Sequence, residues 1–331
     1  MNSADAPKSS STNVENDLLK TNKHRDWHGA TVGIIIGLLG LIAGRLGYLW
    51  IGFDVFSQFS LQFILLSIAS AIGIVMPRYK GLVAAILFAG FVSLYSAWPH
   101  IVSAGPVKLQ AISAGTKPLK VASFNTFVLN QNYADLTASI LKMDADFVVL
   151  IEFDSYKSSM LASLKSIYPF QFECTQASNC EMAILSKYPV TDGQAKGIWE
   201  GPGYISAKLG PEFGGVTIFG VHTTRFPHSR AQFTQINAMV KVVEAVPGRV
   251  IVMGDFNATP FSRINQTMAT GAGLTRLTSL PTWPATHGLP QLAIDHIFVS
   301  HDITALSDER IGDNAGSDHF PVTMVLGVPN K

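Results

Sequence analysis

The chain has 331 residues, of which 47% are hydrophobic and 14% are charged, and its formal net charge is +1. This length leaves room for one large domain and an appendage. The balanced charge, with no basic run after residue 101, argues against a protein that holds long nucleic acids through a basic face. A few clustered lysines would escape such a count.

The N-terminal segment, residues 1–28, is rich in Ser, Asn, Asp and Lys and has few apolar side chains. Segments that bury little apolar surface cannot offset the conformational entropy lost on folding. We therefore predict a disordered tail over residues 1–28.

Residues 29–101 hold three apolar runs, at 30–50, 61–76 and 81–100, with few charges. A helix needs about 20 apolar residues to cross a bilayer core. A signal peptide would show one apolar core of about 7–15 residues, and buried helices of a soluble bundle would show polar faces at helical spacing. The pattern therefore predicts three transmembrane helices, with membrane lipid as their partner.

The basic residues give these helices an orientation. They lie before the first run and between the second and third: Lys20, Lys23, Arg25, Arg78 and Lys80. The loop at 51–60 has none. Because basic loops stay in the cytoplasm, we predict a cytoplasmic tail and a multi-pass protein of the inner (cell) membrane. Three crossings would leave everything after residue 101 outside the cytoplasm, in the periplasm of a two-membrane cell.

The two cysteines, Cys174 and Cys180, lie in this extracytoplasmic part. An even pair in an oxidising compartment favours a disulfide closing a small loop. Two free cysteines are the alternative, whereas a zinc site would need a second pair or a nearby histidine.

After a linker at 102–117, residues 118–331 alternate apolar strands with helical patterns at 132–143 and 231–246. This order is typical of α/β layering, with helices outside packed sheets. The most informative stretch is Gly-Asp-Phe-Asn at 254–257, which follows the apolar run 249–253. In an extended strand end, Asp255 and Asn257 would point the same way. The alternative is a turn whose side chains bond their own backbone.

Further polar side chains stand at or near the ends of other apolar runs, where a rigid scaffold displays chemistry. They are Asn125, Glu152, His222, Asp295, Asp318 and His319.

The order Ser-Phe-Asn, Ile-Glu, Val-His, Gly-Asp-Phe-Asn, Ile-Asp-His and Ser-Asp-His resembles the deoxyribonuclease-I-like endonuclease/exonuclease/phosphatase superfamily. The resemblance covers residues 118–328. It implies a four-layer, two-sheet α/β sandwich for the catalytic domain at 118–331.

The resemblance implies a magnesium or manganese site at oxygen ligands. Glu152 would be the primary metal ligand, with Asn125 and Asp318 close by.

It also implies the catalytic groups. Asp255 would orient or deprotonate the attacking water, and Asn257 would bond a phosphoryl oxygen. His319 would act as general base or phosphate ligand, with its ring fixed by Asp295. His222 would contact another phosphate oxygen. Glu181 is the candidate for the acidic residue that pairs with this histidine in the deoxyribonuclease branch.

The sequence thus predicts a membrane-anchored, metal-dependent phosphodiesterase or phosphatase. Its substrate would be a phosphoester on a lipid head group, a small metabolite or a nucleic acid, and no protein partner is implied. An extracytoplasmic endonuclease acting on DNA or RNA is one alternative. A catalytically inactive binding module of the same fold is another, since one fold hosts many functions.

Overall fold

The computed structural model of the protein describes residues 11–75, 115–174, 179–197, 201–288 and 291–330. The apolar run at 81–100 and most of the predicted linker lie outside these residues. The helices are α1 (Ser11–Leu46), α2 (Asp54–Ser57), α3 (Ser60–Val75), α4 (Tyr133–Met143), α5 (Met160–Leu164), α6 (Ser229–Glu244) and α7 (Arg263–Gly271), with 3-10 turns at Ile51–Phe53, Lys157–Ser159 and Pro211–Phe213.

The N-terminal helices form a hairpin in which α1 packs against α3. Glycines allow the close approach: a Cβ at Gly40 would stand 2.5 Å from the Phe63 ring, and one at Gly37 would stand 2.1 Å from Ser67 Oγ. The helix α1 begins at Ser11, so most of the predicted tail is helical. The sequence from Ser11 up to Gly29 contains neither Pro nor Gly to interrupt a helix.

The prediction of three membrane spans does not hold for the described residues. One helix, the part Gly29–Leu46 of α1, is long and apolar enough to cross a membrane, as a signal sequence also is. The second run belongs to a bent pair, Ile51–Ser57 and Ser60–Gly73, which meet at 55° and count as a span only together. The break falls where the chain bonds to the domain that follows it, through Gln58 and Thr259, and the third run lies outside the described residues.

The domain that begins at Thr116 contains two mixed sheets. The strands are β1 (Thr116–Asn125), β2 (Phe147–Ile151), β3 (Phe170–Glu173), β4 (Met182–Ser186), β5 (Val190–Lys196), β6 (Gly203–Leu209), β7 (Thr217–His222), β8 (Val250–Asp255), β9 (Leu274–Arg276), β10 (Asp295–Ser300), β11 (Thr304–Ala305), β12 (Arg310–Ile311) and β13 (Val322–Pro329). The first sheet has the order β11-β13-β1-β2-β4-β3, with β12 beside β13, and the second has the order β5-β6-β7-β8-β10-β9.

Three apolar cores stack the domain into four layers, as predicted. The central core joins the inner faces of the two sheets, for example Val149 with Ile218. One outer core packs α4 and α5 on the first sheet through residues such as Leu136. The other packs α6 and α7 on the second sheet, through Ile236 and Ile264.

Two parallel strand pairs bring the predicted site together. Strands β1 and β2 run parallel, and so do β7 and β8. Parallel neighbours end at the same edge of their sheet. Asn125 and Glu152, the residue after β2, therefore lie together at the edge of the first sheet, and His222 and Asp255 lie together at the edge of the second sheet. The antiparallel β10 begins at the same place, with Asp295 opposite Asp255.

The predicted disulfide is present. Cys174 and Cys180 are bonded and buried at the edge of the central core, and neither cysteine is free.

Candidate active site

Asn125, at the end of β1, links the two halves of the site. Its Nδ2 atom donates to Glu152 Oε1 at 3.1 Å and to Asp255 Oδ2 at 3.0 Å, and lies 3.5 Å from His319 Nε2. Its Oδ1 atom accepts from the N–H of Phe127. One buried amide therefore holds two carboxylates from different sheets close to the histidine.

Glu152 presents its carboxylate into the site from a left-handed backbone conformation, with φ of 52°. Its Oε2 atom accepts from the N–H of Val128 at 2.8 Å. Burial favours the neutral acid, but the nearby His222 and the bonds from Val128 and Asn125 outweigh it and lower the pKa of Glu152. The group is therefore an anion at neutral pH.

Lys157 is a support that the sequence did not reveal. Its buried ammonium donates to the carbonyls of Val128 and Glu152, both at 3.1 Å. It thereby ties the loop after β1 to the loop after β2. Burial lowers its pKa, and Asp154 and Glu152 oppose that shift.

Asp255 and Asn257 meet through a turn. Asp255 Oδ1 accepts from the N–H of Asn257 at 2.8 Å, and Asn257 has φ of 47°. Asn257 Nδ2 donates to Asp255 Oδ2 at 3.2 Å and to the carbonyl of Thr223 at 2.9 Å. The two side chains converge because the chain turns back, and the predicted alternation of an extended strand is not the cause.

Asp255 is fully buried. Burial raises its pKa to about 6, and the nearby His319 opposes that shift. The carboxylate therefore gains a proton in mildly acidic solution, which matches the requirement for a general base near neutral pH.

His319 is bracketed by two carboxylates. Its Nδ1 atom lies 2.8 Å from Asp295 Oδ2, and its Nε2 atom lies 3.7 Å from Asp255 Oδ2. Burial opposes the charged ring, but Asp295 and Asp255 outweigh it and raise the pKa of His319 to about 10. Thr282 donates to the same Asp295 oxygen at 2.6 Å. The ring is therefore a fixed cation at neutral pH, which favours the predicted phosphate contact over the predicted general base.

His222 is the more exposed of the two predicted site histidines, since a quarter of its side chain is exposed. Its Nε2 atom lies 3.8 Å from Glu152 Oε1 and 3.9 Å from Asp255 Oδ2. The ion pairs among the described residues do not join it to Glu181, the acidic partner considered from the sequence. Glu152 itself faces this ring.

Asp318 has one oxygen paired and one unpaired. Its Oδ2 atom accepts from the indole N–H of Trp283 at 3.1 Å. Its Oδ1 atom is buried and has no hydrogen-bond partner among the described residues. Trp283 is half-buried, and its indole N–H requires such an acceptor. His296, which follows Asp295 on β10, is a core residue: it is fully buried, its Nε2 atom lies 2.9 Å from the carbonyl of Ala258, and burial lowers its pKa to about 3.

The donor set fits a hard divalent cation. Ligand atoms of Glu152, His222 and Asp255 all lie within 4.8 Å of one another, as do those of Asp255, Asp295 and His319. Since His319 and Asp295 bond each other, the group around Glu152 is the better candidate. Asp318, the other predicted carboxylate ligand, belongs to neither of these two groups, although its Oδ1 atom has no hydrogen-bond partner among the described residues. Asn125, also a predicted ligand, is not oriented to bind a cation held by Glu152. Its Nδ2 atom donates to Glu152, and its Oδ1 atom accepts from the N–H of Phe127.

Sequence comparison gives one family. The family model described as "Endonuclease/Exonuclease/phosphatase family" matches residues 122–319. A comparison with curated proteins finds no match.

Solved structures share the fold over nearly their whole length. A family protein from Bacteroides thetaiotaomicron is 16% identical with a TM-score of 0.51, and the match covers 64% of this chain and 98% of that one. A 3′ phosphatase, NExo from Neisseria, bound to a product DNA hairpin, is 20% identical with a TM-score of 0.51, covering 62% and 98%. A humanized D. rerio TDP2 is 15% identical with a TM-score of 0.52, covering 63% and 98%. At these identities the likeness is one of fold.

Proposed function

Because the chain belongs to the endonuclease/exonuclease/phosphatase family, we propose that it hydrolyses phosphoester bonds with the help of a divalent cation. The observation that carries the proposal is the bridge from Asn125 to Glu152 and Asp255, within reach of His319. It joins an anionic ligand, a carboxylate base and a cationic ring at one edge of the sandwich. The inactive binding module is disfavoured because none of these groups is missing.

Asp255 holds and deprotonates the attacking water. With a pKa raised by burial to about 6, it is ionised at neutral pH and close enough to neutrality to accept a proton. The water oxygen then forms the new bond to phosphorus while the ester oxygen leaves. Asn257 donates its two amide hydrogens to Asp255 and to the carbonyl of Thr223, so its role is to orient this base.

His319 stabilises the negative charge that builds on the phosphoryl oxygens. Its Nε2 side faces the site, because Nδ1 donates to Asp295. His222 offers a second, more exposed contact. A divalent cation bound by Glu152 would further neutralise the phosphoryl charge.

We place the catalytic domain outside the cytoplasm, attached to the membrane by α1. The disulfide between Cys174 and Cys180 supports an oxidising compartment. The basic residues in the first part of α1, ahead of its apolar part Gly29–Leu46, and their absence from the loop at 51–60 support a cytoplasmic N-terminus.

The test uses the full chain in detergent with bis-p-nitrophenyl phosphate and Mg²⁺. EDTA should abolish hydrolysis, and added Mg²⁺ or Mn²⁺ should restore it. Glu152→Gln keeps the size of the side chain and removes its charge, so it should raise the Mg²⁺ concentration needed for half-maximal rate at least about tenfold, as losses around metal sites do. Glu244→Gln, on the exposed face of α6, is the matched control. Full activity in EDTA would contradict the proposal, and faster cleavage of plasmid DNA in the same assay would favour the endonuclease.

A further inference from the structure

The loop between α1 and α3 is built into the catalytic domain. Asp54 is buried, and its carboxylate accepts from the N–H of Arg263 at 2.9 Å and from the hydroxyl of Ser262. These are the residues at which α7 begins, so Asp54 adds a second cap to a helix of the other domain, beside its own N-cap Ser262. Gln58 is also buried, and its Oε1 atom accepts from the N–H of Thr259 at 2.6 Å.

This contact lies at the site edge of the domain. Thr259 follows Asn257 by two residues, and α7 follows β8, the strand that ends in Asp255. A row of aromatic rings continues from the hairpin: the Phe59 and Phe226 centroids are 5.8 Å apart, and those of Phe226 and Trp283 are 6.4 Å apart. Trp283 donates to Asp318. The hairpin therefore reaches the site through two aromatic side chains, Phe226 and Trp283.

The end of α1 next to this contact is strongly apolar on its outside. Leu49 and Trp50 are both more than half exposed, as are several side chains along α1, whereas the hydroxyl of Tyr48 donates to Gln266 of α7. Tyr and Trp collect where a bilayer meets water. The membrane surface therefore lies at the level of the docked loop.

The opposite side of the site carries a second apolar feature. Leu129, in the loop after β1, is 74% exposed, and Tyr156, in the loop after β2, is 77% exposed. They are the two most exposed large hydrophobic residues of the described catalytic domain. Lys157 bonds the two loops together, so both side chains are held on a fixed rim. Exposed apolar groups on a rigid rim fit a lipid surface better than water.

From these two features, one on each sheet, we infer that the rim of the site rests on the bilayer and that the substrate is a phosphoester carried by a membrane lipid; this inference rests on the proposed function. The hairpin holds the second sheet against the membrane, and Leu129 and Tyr156 insert from the first. A lipid head group then reaches Glu152 and Asp255 without leaving the bilayer surface.

The membrane face can be tested independently of activity. The full chain is reconstituted into phosphatidylethanolamine–phosphatidylglycerol nanodiscs with an environment-sensitive dye on Leu129→Cys or Tyr156→Cys. Brominated lipid should quench at least about half of the dye emission at both positions, since an apolar group on this rim is buried in lipid. Ile167→Cys, another exposed apolar position of the domain, should stay unquenched. Equal quenching at all three positions, or none at 129 and 156, would overturn the membrane face.

The substrate class is tested with the double variant Leu129→Ser/Tyr156→Ser. Its rate on nanodiscs containing phosphatidylglycerol or phosphatidic acid should fall at least about tenfold, because burying two such side chains in lipid favours binding by more than that factor. Its rate on soluble bis-p-nitrophenyl phosphate should stay within about twofold, and Ile167→Ser should change neither rate.

The outcomes separate the two ideas. Hydrolysis of the soluble diester with none on any lipid, or an equal loss on both substrates in the double variant, would overturn the lipid substrate and leave the hydrolase standing. Absence of hydrolysis on every substrate would remove the proposed function, and the quenching would still report which face meets the membrane.

Discussion

Asn125 contacts three other residues of the site, Glu152, Asp255 and His319, through one nitrogen atom. Two carboxylates at about 3 Å from one nitrogen repel each other, and the amide hydrogens of Asn125 offset that repulsion. A residue that only accepts would leave the pair unsupported. The amide is therefore required for its N–H groups.

Asn125→Asp tests this at nearly constant shape. It places a further negative charge beside Asp255, whose pKa is already raised by burial to about 6. Activity depends on the ionised form and rises with pH through that value, so a higher pKa moves the rising limb to higher pH. We expect a shift of at least about one pH unit in the profile of kcat/KM, measured from about pH 5 to about pH 9. An unchanged limb with a lower plateau would show that Asn125 does not influence the base.

Asp255→Asn and His319→Ala test the base and the cationic ring. Each should lower kcat on bis-p-nitrophenyl phosphate by about 10²–10⁴-fold, the usual contribution of a proton-transfer or charge-stabilising group. Since groups that act as a unit lose little more when both are removed, the double variant should be close to the worse single one. Wild-type-like turnover by Asp255→Asn contradicts the mechanism.

The helices and strands of the catalytic domain were predicted better from the sequence than the N-terminal hairpin was. The strands that carry the site were predicted because each is an apolar run that ends in a polar residue, as at Phe147–Ile151 and Glu152. The ends of α4 and α6 were predicted within about two residues. Lys157, Thr282 and Trp283 were missed because their partners are backbone or side chains of other loops, which no local pattern marks.

The hairpin was predicted least well. Its apolar composition indicates membrane helices, but it does not reveal that Asp54 and Gln58 bond to residues more than 200 positions away. The turn at Asn257 is a similar case. Sequence alternation could not separate an extended end from a turn, and the structure contains the turn while keeping both side chains together.

Asp54 offers an element-scale test of the docked loop. Asp54→Ala leaves the N–H of Arg263 and the hydroxyl of Ser262 without their acceptor, a loss of about 1–2 kcal/mol for a helix cap. Amide hydrogen exchange in the first turn of α7 should therefore quicken about tenfold. Asp54→Asn, which keeps an acceptor, should exchange like the native chain, and equal effects of both variants would argue against a cap.

At the scale of the whole molecule, the docked loop and the catalytic domain must be reached from the same side of the membrane. Leu49→Cys, beside the loop, and Asp192→Cys, on exposed β5, should both react with a membrane-impermeant maleimide in intact cells. The native cysteines are bonded to each other and should not interfere. Ser3→Cys, in the predicted cytoplasmic tail, should react only after permeabilisation. Labelling of positions 49 and 192 from opposite sides would contradict the docked structure.

The contact between Gln58 and Thr259 also limits how the two parts can be arranged about a membrane. Two parts of a chain that touch in water lie on the same side of a membrane, so the loop at 51–60 and the domain that begins at β1 share one aqueous compartment. With Gly29–Leu46 of α1 as the span, the start of α1 must lie on the side opposite to that domain.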